Sequence, residues 1–254
     1  MVVVDDCSPE PLKDVAEEFN TRLHIKYIYL EKNGGPGLAR QAGLNYCYEK
    51  NFEFVVFLDS DDYLMPHGLA RLNHEINISG ADVVSSSIFC ETSPHENKII
   101  DANNKTFVHG KIYRTSFLKK NNIKFPSIRT NEDLAFNLSA MELSNNVKLL
   151  DEVLHLFRKD QNSITRCGKN ALALEVNYID AIYYSSAFLV KHNKLTEQMI
   201  MNIFSCYNRY QRALLLGWVP SIDEEKRVRW IFSLTPVKEK LNDAIFMSHL
   251  INSI

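Results

Sequence analysis

Residues Phe54 to Asp62 read Phe-Val-Val-Phe-Leu-Asp-Ser-Asp-Asp. The apolar run Phe54–Leu58 has the length and composition of a buried strand, and it stops on three carboxylates, Asp59, Asp61 and Asp62. In open α/β sheets, ligands sit beyond the carboxyl ends of the strands. Acids clustered there repel one another unless a cation joins them, and hard oxygen ligands suit Mg²⁺ or Mn²⁺. The plain alternative is a solvated Asp-rich turn that caps the helix behind it. The buried strand in front of the acids favours the ligand site.

The segments on either side repeat the pattern. Val2-Val3-Val4-Asp5-Asp6 is again an apolar strand ending in acids. Ser8 as N-cap and Pro9 at the first helical position predict a helix over Pro9–Asn20, with Leu12, Val15, Ala16 and Phe19 on one face. Lys26–Leu30 reads as a strand, Asn33-Gly34-Gly35-Pro36-Gly37 as a tight turn, and Leu38–Lys50 as a helix. Behind the Asp cluster, Pro66–Ile78 reads as a helix carrying Leu69, Leu72 and Ile76, and Ala81–Phe89 as a strand. This alternation implies an α/β fold with a doubly wound, mostly parallel sheet.

After Glu91 the alternation breaks. Residues 102 to 131 hold seven basic side chains (Lys105, Lys111, Arg114, Lys119, Lys120, Lys124 and Arg129) and no acid. Such segregation in an otherwise acidic chain suggests either a wall facing an anionic ligand or a solvated basic loop. A helix over Glu132–Ser144 follows, with Asn131 as N-cap and Leu134, Leu138 and Met141 inward. Two short strands, Val147–Leu150 and Val153–Arg158, come next. From Lys169 onward only helices are expected, over Ala171–Lys191, Thr196–Leu216, Ile222–Ser233 and Val237–Ile251.

Composition narrows the class. With 254 residues, 45% of them hydrophobic and 24% charged, the chain can bury a globular core. A formal net charge of −2 argues against general nucleic-acid binding. Five scattered cysteines without a Cys-x-x-Cys fit a reducing compartment, not a disulfide framework or a zinc site. No stretch approaches the ~18 apolar residues of a membrane span. A cytoplasmic location, with contact at the inner membrane face left open, is the expectation.

Taken together, Val2–Pro9, Asn33-Gly34-Gly35-Pro36-Gly37-Leu38-Ala39-Arg40 and Asp59-Ser60-Asp61-Asp62 resemble the family 2 glycosyltransferases of the GT-A fold. Gly110-Lys111-Ile112-Tyr113-Arg114, Phe125-Pro126, Asn131-Glu132-Asp133 and Leu156-Phe157-Arg158 leading to Asn162-Ser163-Ile164-Thr165 continue the likeness, which covers about residues 1–166. Members carry one more strand and helix ahead of the Val-Val-Asp-Asp segment, the strand ending in Pro-x-Tyr/Phe-Asn. This sequence has no counterpart. The resemblance therefore implies a member truncated at its front, with unpaired edges on the strands Val2–Asp5 and Phe54–Leu58.

What the resemblance implies can be stated residue by residue. Asp5 or Asp6, with Asp6 favoured, would accept a hydrogen bond from the nucleotide base. Asn33, Gly37 and Arg40 would line the nucleotide site. Asp61 would hold Mn²⁺ or Mg²⁺, Asp59 would contact the sugar-nucleotide and the metal, and Asp62 would support or cap. Asp133 would be the general base with Glu132 beside it. His109 would approach the acceptor or the diphosphate, or serve only structure, and Lys111 would face the substrate. On sequence alone, acids in a first helical turn are better explained as dipole partners, and it is the resemblance that gives Asp133 and Glu132 their roles.

The implied organisation is a GT-A domain over 1–166 and a helical region over 167–254. The implied reaction moves a sugar, with inversion, from a UDP-sugar to a hydroxyl of a glycan or lipid-linked glycan in surface polysaccharide synthesis. Two rivals remain: a non-catalytic remnant or accessory subunit, and a nucleotidyltransferase, which would want a Gly-rich phosphate loop followed by Arg or Lys near its start. Trp218, Trp230, Lys226, Arg227 and Arg229 in the tail could serve a membrane surface, core packing or a homo-oligomer contact.

Overall fold

The computed structural model describes residues 1–93, 96–158 and 171–234. The chain divides into two compact units, Met1–Cys167 and Gly168–Ile254. The first contains β1 (Val2–Asp5), α1 (Lys13–Leu23), β2 (Lys26–Tyr29), α2 (Pro36–Glu49), β3 (Phe54–Val56), β4 (Tyr63–Leu64), α3 (Gly68–Ser79), β5 (Val83–Ser93), β6 (Glu96–Ile100), β7 (Lys111–Arg114), α4 (Thr115–Lys120), α5 (Glu132–Leu143) and β8 (Val147–Phe157).

The strand-then-acid segments form strands as expected, but their pairing is mixed. β1 and β2 pair in parallel as a sheet of their own. The second sheet runs β3-β7-β5-β8-β4, with β6 paired to β5. Only β5 and β8 run parallel in it, while β3–β7, β5–β7, β5–β6 and β4–β8 are antiparallel. The departure from a mostly parallel sheet arises after β5, where β6 and β7 return alongside it. Among the described residues β1 pairs only with β2 and β3 only with β7, so each has one open edge.

Helix α1 begins later than its sequence suggests. Ser8 does not cap it; the carboxylate of Asp5 takes the backbone N–H of Ser8 at 2.8 Å and of Leu12 at 3.2 Å, so the strand-end acid serves the helix entry. The apolar face expected on α1 is largely uncovered: Ala16 is buried, whereas Leu12, Val15, Phe19 and Leu23 are exposed. A two-stranded sheet offers that helix little surface to pack on.

Two packed regions position the rest. Leu72, Ile76, Ala81, Val84, Ile112, Leu150 and Leu154 form a core against which Phe54 and Val56 lie. Phe57, Tyr113, Phe125 and Phe136 form an aromatic cluster, with Phe125 and Phe136 stacked at 4.0 Å and Phe57 edge-on to both. The two strands expected over 147–158 are one. Leu150 faces Ser86 and Val153 faces Ser87, so Asp151 and Glu152 bulge out of register, and Glu152 takes a hydrogen bond from Arg71 at 2.9 Å.

In the second unit α6 (Ala171–Lys191), α7 (Glu197–Leu215) and α8 (Ile222–Ser233) match the expected helices. Thr196 caps α7, and Ser221 with Glu224 forms a capping box on α8. Trp230 meets Tyr183 edge-on at 5.4 Å, Trp218 meets Tyr210 at 6.0 Å, and Arg227 pairs with Asp180 at 3.2 Å. The tryptophans and this arginine therefore serve packing within the unit. The helix expected over 237–251, and the Asn162–Thr165 motif, lie outside the described residues. Among the described residues no helix is long and apolar enough to cross a membrane.

Candidate active site

The ends of β1 and β3, the start of α2 and the start of α5 meet in one place. Arg40, three-quarters of a turn into α2 beyond Gly37, makes the junction. Its Nη2 donates to both oxygens of Asp59 at 2.7 and 2.8 Å, and its Nη1 to Oε1 of Glu132 at 2.5 Å. The approach depends on Gly37: a Cβ there would meet Glu132 Cγ at 2.7 Å and Pro126 O at 3.3 Å. Behind the guanidinium lies the ring of Phe125, 6.0 Å away.

The glycine turn is held from the end of β1. Asp6 accepts from the backbone N–H groups of Gly34 at 2.8 Å and Gly35 at 2.6 Å, and Asn33 Nδ2 donates to the Asp6 carbonyl at 3.0 Å. Gly35 has φ +88°, a left-handed conformation that favours glycine. Arg129 donates to Asn33 Oδ1 at 2.7 Å. Asp5 is turned inward, accepting from Tyr27 Oη at 2.6 Å as well as from the helix entry. That phenol and the backbone donors hold its carboxyl down at about 2.

The carboxylates have distinct environments. Asp61 is exposed, and among the described residues no hydrogen bond or ion pair ties it down. Oxygens of Asp59, Asp61 and Asp62 lie within 4.8 Å of one another, a donor set that fits a hard divalent cation. Burial opposes the charge on Asp59, but His109 and Arg40 outweigh it and hold the carboxyl below its usual range. Glu132 is pushed up to about 7 by burial and by the charge of Asp133, with Arg40 resisting. Asp133 is also raised, by burial first. Its Oδ1 accepts the Leu134 N–H at 2.8 Å, and its Oδ2 has no hydrogen bond among the described residues.

The structure thus brings together Asp6, Asn33, Gly37, Arg40, Asp59, Asp61, Glu132 and Asp133. It corrects two expectations. Lys111 does not face the cleft: it is buried at the start of β7, with Nζ donating to the carbonyls of Phe107 at 2.7 Å and His109 at 3.4 Å. The basic stretch is not one wall. Lys105 pairs with Glu142 at 2.6 Å and Arg114 donates to carbonyls of α3 and its exit, so of these groups Arg129 is the one seen at the glycine turn. Charge counted along a sequence cannot tell a buried or paired lysine from one lining a site.

His109 is buried too, and sequence reasoning missed its partner. Its ring stacks on that of His155 at 4.9 Å and 13°. His155 Nε2 lies 3.0 Å from Asp62 Oδ2, and His109 Nε2 lies 3.2 Å from Asp59 Oδ2. The available signal was weak: a polar residue among the apolar ones of a strand.

Comparison with known proteins places these features in context. The chain is 28% identical over 98% of its length to the poly(ribitol-phosphate) beta-N-acetylglucosaminyltransferase TarS of Staphylococcus aureus, covering 46% of that protein. It is 24% identical over 97% of its length to the glycosyltransferase EpsJ of Bacillus subtilis, covering 78% of it. The chain therefore spans about half the length of TarS. In fold it resembles residues 1–349 of S. aureus TarS in complex with UDP-GlcNAc, with TM-score 0.65 and 22% identity over 91% of this chain and 70% of that one. The mannosyltransferase PcManGT of Pyrobaculum calidifontis, in complex with GDP-Man and Mn²⁺, shares the fold at TM-score 0.53 and 13% identity, over 98% and 75% of the two chains. The family profile of glycosyl transferase family 2 matches residues 1–132 of the 254, and the chain belongs to that family.

Proposed function

We propose that this chain transfers a sugar from a nucleoside-diphosphate sugar, a UDP-sugar, to an acceptor hydroxyl in cell-surface polysaccharide synthesis. The observation that carries the reading is the two-armed Arg40, which joins the strand-end acid Asp59 to Glu132, the residue next to Asp133 in sequence. The relatives support the surface-polysaccharide context, and TarS supports UDP as the nucleotide.

In this reading Asp6 and the Gly34–Gly35 turn border the nucleotide, with Asn33 and Arg129 closing the same edge. Asp61 and Asp59 would hold Mg²⁺ or Mn²⁺. A divalent cation there supplies charge neutralisation to the departing diphosphate. Asp133 accepts the proton of the acceptor hydroxyl as that oxygen bonds to the anomeric carbon. The bond from that carbon to the diphosphate oxygen breaks, the nucleoside diphosphate leaves with the electron pair, and the configuration inverts. The raised pKa of Asp133 makes it a stronger base than an ordinary aspartate.

The test is ligand-dependent melting followed by turnover. With UDP and Mn²⁺ at ~100 times Kd, binding adds about 2.7 kcal/mol, a shift of roughly 5–10 °C. Loss of the Mn²⁺-dependent part in Asp61→Ala, and loss of UDP release from UDP-GlcNAc in Asp133→Asn, are the expected results. A melt indifferent to every nucleotide tried, with no UDP release, would sink the proposal.

A second reading, a binding or accessory chain without turnover, draws on the open edges of β1 and β3. It draws also on an apolar groove of about 750 Å³ beside β3, lined in part by Phe54, Val56, Leu69 and Ile112. A nucleotide-dependent shift with no sugar transfer or donor hydrolysis would favour it.

A further inference from the structure

We propose that Asp62, His109 and His155 form a transition-metal site of their own, separate from the cation position at Asp59 and Asp61. Although Asp62 adjoins Asp61 in sequence, its carboxylate turns into the protein. Its side chain is 0% exposed, and the backbone N–H of Arg158 fixes Oδ1 at 3.0 Å. Oδ2 then lies 3.0 Å from His155 Nε2 and 3.7 Å from His109 Nε2. The two rings stack near-parallel at 4.9 Å and 13°, and both Nε2 atoms lie within 3.7 Å of that one oxygen.

Three observations point to a ligand between them. The three donor atoms lie within 4.8 Å of one another. Two ligands each ~2.1 Å from a tetrahedral ion stand about 3.4 Å apart, and the observed 3.0 and 3.7 Å bracket that spacing. The third is a buried polar atom with an unmet need. His109 and His155 are 3% and 0% exposed, and His109 Nε2, one of the three donor atoms, has no hydrogen-bond partner among the described residues, whereas His155 Nε2 shares a hydrogen bond with Asp62. Buried polar atoms in native proteins are almost always satisfied, so this nitrogen asks for a partner. Nδ1 of either ring, also unpartnered among the described residues, is not met by an ion at Nε2.

The donor chemistry selects the ion. Two neutral imidazoles and one carboxylate suit Zn²⁺, Co²⁺ or Fe²⁺ and are poor for Mg²⁺, which prefers an all-oxygen shell. Asp59 Oδ2, 3.2 Å from His109 Nε2, stands at the margin of this site while its two oxygens bind Arg40. An ion here would tie β8 and the segment before β7 to the turn after β3, so its role is structural. Burial implies that it loads as the chain folds.

The experiment measures metal without any nucleotide. The full chain is unfolded in chelator, refolded with Zn²⁺ or Co²⁺, dialysed and assayed by elemental analysis and, for Co²⁺, by its visible ligand-field bands. About one equivalent per chain is expected in the wild type and in Asp61→Ala, and a loss of at least tenfold in affinity in His155→Gln and Asp62→Asn. Wild-type protein that refolds with no stoichiometric metal overturns the proposal, whatever the variants do; the imidazoles would then be met by protons shared with Asp59 and Asp62. Metal lost in Asp61→Ala but kept in His155→Gln overturns it as well, because the ion would belong to the outer site.

Discussion

Arg40 grips Asp59 with one arm, at 2.7 and 2.8 Å, and reaches Glu132 with the other, at 2.5 Å, although the three residues come from three different parts of the chain. The guanidinium is 11% exposed and Glu132 5%, so these are charges withdrawn from water and compensated by one another. Arg40→Met leaves the buried Glu132 and the part-exposed Asp59 without their shared cation. Breaking a fully buried pair costs about 3–5 kcal/mol, and water reaching Asp59 brings the expected loss to the lower end of that range. Arg40→Lys keeps the charge but not the fork, and is expected to lose less stability while failing to orient Asp59 and Glu132 together. Urea denaturation should rank wild type above Arg40→Lys above Arg40→Met, with both variants impaired in UDP release.

Gly37 permits that grip. A Cβ at this position would stand 2.7 Å from Glu132 Cγ and 3.0 Å from its Cβ, so Gly37→Ala must push α2 away from α5. Overpacking of this kind costs ~1–3 kcal/mol. Gly43, in the same helix, is the control: an added Cβ would meet Val4 Cγ2 at an ordinary 3.4 Å. Gly43→Ala should be neutral or stabilising by about 0.5–1 kcal/mol, because alanine restricts the unfolded chain more. Thermal melts of the two variants should move in opposite directions, and equal shifts would refute the crowding argument.

Much of this arrangement was legible in the sequence because it is written in local patterns. Short apolar runs ending in acids gave β1 and β3, and glycine marked the turn before α2. What escaped the sequence depends on partners far apart along the chain. Pro9 suggested an early helix, yet Asp5 bonds the Leu12 N–H and sets the entry later. Asp151 and Glu152 looked like a strand break, but the ladder absorbs them as a bulge and Arg71 holds Glu152 outside it. Asp59 and Glu132 were each assigned roles, whereas their shared arginine arm is visible only in three dimensions. The same is true of His109 meeting His155.

The acids of α5 predict opposite pH trends for activity and stability. A base must be unprotonated to work, so turnover should rise as pH climbs through the apparent pKa values of the Glu132–Asp133 pair. Burial raises both, Glu132 from 4.5 up to about 7, placing the acid limb well above that of an ordinary carboxylate. A carboxyl whose pKa is higher folded than unfolded holds its proton better when folded. Its contribution to stability is full below pH 4.5 and is lost as pH rises toward 7. Glu132→Gln should flatten the stability trend across that window, while Asp133→Asn abolishes turnover. An acid limb near pH 4 in the wild type would contradict the assignment.

Lys111 makes a prediction of the other sign on the alkaline side. Burial lowers its pKa from 10.5 to about 7, with Asp133 the opposing influence. The unfolded chain binds this proton up to about 10.5 and the folded chain only to about 7, so the group penalises folding below pH 7 and the penalty lifts as pH rises between the two values. Lys111→Met removes the titration but also the hydrogen bonds to the carbonyls of Phe107 and His109. Those losses do not vary with pH, so they shift the variant's stability uniformly. The difference in urea-unfolding free energy between Lys111→Met and wild type should therefore move steadily in favour of wild type from pH 7 to pH 9. A difference that stays constant across that range would mean that Lys111 keeps its charge in the folded protein, held there by the acids of α5.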